Sequence, residues 1–167
     1  MEIINHFIKK CQKKELLDHS LLTFYHFSEA NPERIKAVID VDMINSILEI
    51  LVSHSTPELK LKALNFICSL ANNSDSNVVF TLIECESIKI LAKVIQDNHK
   101  ILRKEACFIL SIMVVNMGYQ LQTVFDYNNA EIIKNLIAIV SNDDKDVGFV
   151  SFIFISLSFP FHFHCFF

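Results

Sequence analysis

Asn65, Ser69 and Asn73 stand four residues apart in NFICSLANN. On a helix that spacing places one hydroxyl and two amides along a single face. Such a row could hold the backbone of an extended peptide, because each group both donates and accepts hydrogen bonds. Other residues with chemical potential are less organised. His162, His164 and Cys165 form a tight group near the end of the chain, but a zinc site needs a fourth ligand and a shaped cage. Ser111 lies within a helical run and lacks the strand–turn–helix setting of an activated nucleophile. Gly118 and Gly148 are the only glycines, so no glycine-rich phosphate loop exists. His19, His26, His54 and His99 are scattered. Five cysteines with no CxxC pair make neither a disulfide framework nor a zinc ribbon. Cys68 and Cys107 fall on apolar helical stripes and read as buried thiols. The chemistry offered is binding; nothing in the sequence supports an enzyme or a cofactor.

The elements that must carry these residues are helices. Among 167 residues there are 2 Gly and 3 Pro, while 51% are hydrophobic. A strand-rich fold needs more turn residues than that. The net charge of −4 argues against a nucleic acid partner, since phosphate binding calls for a basic face. The N-terminal stretch MEIINHFIKKCQKKE has no long apolar core of the signal-peptide kind.

Three segments repeat at intervals of about 42 to 45 residues, the range of armadillo and HEAT arrays. They are Arg34–His54, Val78–Asn98 and Leu121–Asp143. Each has a short apolar helix, an acidic residue (Asp40, Glu84, Asp126), a break and a longer helix. The first is followed by a third helix over Thr56–Ser74, with Thr56 as its cap and Pro57 at its first position. The second is followed by another over Asn98–Asn116, capped by Asn98. Three helices per unit is the armadillo plan.

The helix EACFILSIMVVN, Glu105–Asn116, and the following LQTVFDYNNAEIIKNLIAIV resemble the repeats of the importin-alpha family, which carry nuclear localisation signals. Glu105, Ala106, Cys107 and Ser111 match the family's EACWxxSN pattern. Gln120, Gln122, Val124 and Asp126 match its QIQxVID pattern. Pro32, Glu33, Ala37, Val38, Ile39 and Asp40 match in the unit before. The resemblance covers about residues 3 to 150. It implies an all-α armadillo-type solenoid, a right-handed superhelix of three-helix repeats, with about three to four repeats and incomplete at both ends.

The resemblance also implies a site. In the family, a Trp and an Asn one turn apart on each third helix line a groove. The Asn amides hold an extended peptide, and lysine stems lie between indole rings with their heads near carboxylates. Here those two places hold Leu22 and His26, Asn65 and Ser69, then Phe108 and Ile112; Asn73 and Asn116 follow one turn on. These eight are the expected peptide-binding residues. The implied partners are basic nuclear-localisation-signal peptides or the cargo proteins bearing them, met in cytoplasm and nucleus. The family's Arg- and Lys-rich importin-beta-binding segment has no counterpart in Lys9–Glu15, so recruitment of importin-beta is not expected. The alternative reading is an armadillo scaffold that binds a folded partner without recognising localisation signals; Ile112 and Val115 favour it.

Residues 151–167 leave the repeat pattern. SFIFISLSFPFHFHCFF is rich in phenylalanine and carries no charge. A translated non-coding stretch, an interaction or membrane-anchoring tail and an unusual last helix all fit it. The apolar run is short for a membrane span, and no membrane partner is expected.

Overall fold

The computed structural model describes residues 19–23, 25–26, 41–53, 56–72, 76–117, 138 and 145. Five helices lie among them. They are α1 (Val41–Val52), α2 (Pro57–Ala71), α3 (Ser76–Glu84), α4 (Ser87–Val94) and α5 (Lys100–Met117). A further piece of helix covers His19–Thr23. In the repeat frame, α2 and α5 are successive third helices, but the short-then-longer pair expected between them is not found: α3 has 9 residues and α4 has 8. The repeat expected over Leu121–Asp143, and the tail from Ser151, lie outside the described residues.

The chain divides into two compact units, Met1–Ile90 and Leu91–Phe167, and the division falls within α4. In the first unit, α1 packs on α2 and α3, and α2 packs on α3. The sequence makes this arrangement by period. Ile44, Ile47, Leu48 and Leu51 form one stripe on α1, and Leu59, Ala63, Phe66, Ile67 and Leu70 form one on α2. Val78, Val79 and Leu82 supply the inner side of α3. Phe66, 2% exposed, is the largest of the enclosed side chains. Burying an aromatic of that size contributes about 1.5–3 kcal/mol. Leu61 and Cys68, also on α2, are half-buried. Cys68 sits at the edge of the stripe, so of the two cysteines expected inside, only Cys107 is fully enclosed.

Helix starts depart from the expected caps. Thr56 occupies the cap position of α2, with extended backbone (φ −67°, ψ 153°), and Pro57 follows at the first helical position. The Thr56 carbonyl accepts the first helical hydrogen bond from Lys60 N–H at 3.0 Å. Its hydroxyl caps nothing and is buried without a partner. At α5 the cap is His99 rather than Asn98: the His99 carbonyl accepts from Leu102 and Arg103 N–H at 3.0 and 3.2 Å. Asp97 takes the cap's own amide, accepting the His99 N–H at 2.9 Å, and sits 3.0 Å from His99 Nδ1. Arg103 reaches back and donates to the carbonyls of Asp97 and Asn98 at 2.9 and 3.0 Å. The turn is thus closed by groups from both sides, and Asp97 satisfies the His99 amide, one of the orphan donors of the helix start.

The turn between α3 and α4 is the tightest described. Cys85 N–H donates to the Thr81 carbonyl and Glu86 N–H to the Ile83 carbonyl. Glu86 then adopts the left-handed conformation at φ 57°. Cys85 is buried; its thiol lies 3.8 Å from the Val41 carbonyl and ties the turn to the start of α1. Burial, followed by the neighbouring Glu84 carboxylate, raises the Cys85 thiol above its ordinary pKa.

Candidate peptide-binding faces

The two third helices present faces in the same register. On α2 the sequence Glu58, Lys62, Asn65, Ser69 recurs every three or four residues. On α5 the corresponding places are Ile101, Glu105, Phe108 and Ile112. Seven of the eight expected site residues are described; Asn73 is not.

On α2, in the first unit, Asn65 and Ser69 are half-buried one turn apart, as the helical spacing requires. No hydrogen bond holds the Asn65 amide among the described residues. It therefore keeps both its donor and its acceptor for a ligand. Ser69 differs: its hydroxyl donates to the Phe66 carbonyl at 2.8 Å. This is the back-bonding habit of Ser in helices, and it commits the hydroxyl proton within the helix. Also in this unit, Leu22 is 41% exposed and His26 is exposed, its ring edge-on to Tyr25 at 5.5 Å.

On α5, in the second unit, the inner side is apolar and enclosed: Leu102, Ala106, Ile109, Leu110 and Met113 are buried. The outer side is also apolar but exposed. Phe108 is 45% exposed and Val115 61%, with Ile101 at 50% and Ile112 half-buried between them. Asn116 is exposed at the end of the row. Ser111 is buried, and its hydroxyl donates to the Phe108 carbonyl at 2.7 Å.

Glu105 lies one turn before Phe108 on this outer face and is half-buried. Burial raises its carboxyl above the ordinary carboxylate range, and the Lys104 ammonium beside it opposes the shift. The consequence is chemical. A partly desolvated carboxylate next to an exposed ring gains from a cation that can reach both. Sequence reasoning named Phe108 but not Glu105 as a site residue; the signal was its place one turn before the ring.

Among the described residues no group of three or more His, Cys, Asp or Glu could hold a metal ion, and no helix is long and apolar enough to cross a membrane. The HFHC group lies outside the described residues.

No protein-family model matches the chain, and no curated protein matches it by sequence. Solved structures do resemble it. One is the designed armadillo repeat protein YIII(Dq.V1)4CPAF in complex with peptide (KR)4, with a TM-score of 0.78 at 16% identity over 92% of this chain and 62% of that one. A second is the designed armadillo repeat protein YIII(Dq)4CqI, at TM-score 0.77 and 15% identity over 92% and 63%. A third is an engineered protein at TM-score 0.78 and 15% identity over 94% and 64%. The chain spans a little under two thirds of the length of each. Likeness at this identity concerns the backbone, and it agrees with the three-helix repeat order: the fold is an all-α array of armadillo repeats.

Proposed function

We propose that this chain is a peptide-binding armadillo module, an adaptor and not a catalyst, and that a basic segment of the nuclear-localisation type is among its ligands. The observation that carries the reading is the Glu105–Phe108 pair on α5: a half-buried carboxylate with a raised pKa, one turn from an exposed ring. A lysine or arginine stem laid on Phe108 brings its cation to Glu105. The ring contributes about 0.5–1 kcal/mol at an exposed site. On α2, the Asn65 amide would take the backbone of an extended ligand. A designed armadillo protein of similar fold is in complex with peptide (KR)4, which makes a basic extended ligand a reasonable first probe. An adaptor of this kind would work between cytoplasm and nucleus.

The exposed Ile101, Phe108 and Val115 favour a second reading, a scaffold that covers this row with an apolar segment of a partner protein. Calorimetric titration of the full chain with a lysine-rich localisation peptide separates the two. Peptide adaptors should show saturable binding that weakens with salt and falls several-fold in Glu105→Gln and Asn65→Ala. A folded chain that gives no heat of binding at millimolar peptide would rule the adaptor out.

A further inference from the structure

The outer row on α5 has a period of its own. Ile101, Glu105, Phe108, Ile112 and Val115 are separated by four, three, four and three residues. That alternation is the heptad spacing by which one helix packs along another. Four of the five side chains are apolar; Ile101, Phe108 and Val115 are exposed and Ile112 is half-buried. The row runs about 21 Å along the axis, nearly the whole of α5.

An extended chain follows such a row poorly. Its side chains return to one face every two residues, about 6.6 Å apart, whereas the row steps about 6.0 and 4.5 Å in turn. A second helix repeats the same steps and sets its side chains between those of the row.

Charge decides which helix fits. Glu105 stands where the heptad calls for an apolar side chain. It is half-buried, and burial raises its carboxyl even with the Lys104 ammonium beside it. Covering the row buries the carboxylate further, which is costly unless a cation comes with the cover. A second copy of α5 brings none to that place. In a parallel pairing Glu105 would meet Glu105; in an antiparallel one it would meet Ile101, Phe108 or Val115. A lysine or arginine on a different helix can lay its stem on Phe108 and its charged head at the carboxylate.

We propose that the outer face of α5 binds an amphipathic helix of a partner protein, whose large aliphatic side chains cover Ile101, Phe108, Ile112 and Val115 and whose lysine or arginine pairs with Glu105. The proposal rests on the peptide-binding reading and names the form of the ligand at this face: a helical segment with a basic residue set in an apolar row.

The test titrates the full chain with fluorescent peptides. Two amphipathic 15-residue peptides carry Leu along the same four-three row, with one Lys in it, at position 5 for a parallel partner or at position 8 for an antiparallel one; Ala and Gln fill the rest. A third has the same composition in an order that scatters Leu and Lys around the helix. An octapeptide of alternating Lys and Arg probes the basic-segment reading by itself. One amphipathic peptide should bind wild type about ten-fold more tightly than the scattered order, the scale of a few apolar side chains buried, and should gain helical circular dichroism on binding. Glu105→Gln should weaken it several-fold and Val115→Asp about ten-fold, in variants whose own helical content is unchanged. Amphipathic peptides that bind no better than the scattered order, or as well to Val115→Asp as to wild type, would overturn the helical ligand; binding of the octapeptide would then leave the basic-segment reading standing. A chain that sediments as a dimer and dissociates in Val115→Asp would give the row to a second copy and overturn the proposal. Failure of every peptide on a folded monomer would overturn the peptide-binding reading and the helical ligand together.

Discussion

Single residues show where the sequence works against its own fold. Glu86 holds φ 57°, a conformation that costs a non-glycine L-residue roughly 1–2 kcal/mol. Its ion pair with Lys89 at 3.2 Å is exposed on both sides and offsets little of that. Glu86→Gly should therefore raise the denaturation midpoint, by about 1 kcal/mol in stability; a lower midpoint in urea would mean the strain is not there. Next to Glu86, Ser87 is fully enclosed and its hydroxyl has no partner. An unsatisfied buried hydroxyl costs about 1–3 kcal/mol, so Ser87→Ala should stabilise the chain against thermal unfolding, and a fall in Tm would contradict the assignment.

Glu105 gives a pH signature. Its folded pKa is raised, chiefly by burial, so the folded state holds this proton more tightly than the unfolded chain. Its contribution favours folding below the ordinary carboxylate range and is lost as pH rises through the raised value. Glu105→Gln should therefore raise Tm at pH 7, and the gain should shrink toward pH 4. A gain of the same size at both pH values would show that ionisation is not its cause. A bound cation should reverse the penalty, so that peptide binding strengthens with rising pH and releases a proton.

At the scale of elements, period was the reliable guide. Positions 44, 47, 48 and 51 on α1, and 59, 63, 66 and 67 on α2, are apolar at helical spacing and are buried. The helix ends were read less well, because a cap depends on backbone geometry that residue type only suggests. Thr56 has the right type and place, yet its hydroxyl points into the interior without a partner. Asn98 has the right type, but Asp97 and Arg103 close the turn one residue later, at His99. The faces followed from register: Asn65 with Ser69, and Phe108 with Ile112, share a side because helices turn as they do. What spacing could not supply was the state of each group, such as the Ser69 proton already committed to Phe66. Packing of α2 is expected to be the weak point of its unit. Phe66→Ala removes the largest enclosed side chain, at a cost of about 3–5 kcal/mol. That is a large share of a small domain's stability. Loss of most helical circular dichroism at room temperature is the expected result; an unchanged urea midpoint would mean that α2 is not held by this ring.

At the scale of the molecule, the repeat interval made the architecture legible. Low glycine and proline content excluded most strand folds, and three acidic residues at matching places set the frame for three-helix units. The designed armadillo proteins share that backbone at 15–16% identity, so the fold survives in sequences that keep little beyond the apolar period. Function was less legible for the same reason. The scaffold is set by buried residues, whereas a ligand is read by the few that reach the surface; in the proposed reading these are Asn65, Phe108 and Glu105.

The most direct test of that assignment is to map where a ligand touches. A lysine-rich peptide carrying a photoreactive residue would be cross-linked to the full chain at saturating concentration, and the adducts located by mass spectrometry. Adducts within Lys62–Ser69 of α2 and Ile101–Val115 of α5 are expected. Adducts confined to α1, α3 or α4, with both third helices unmodified, would contradict the claim that these faces bind.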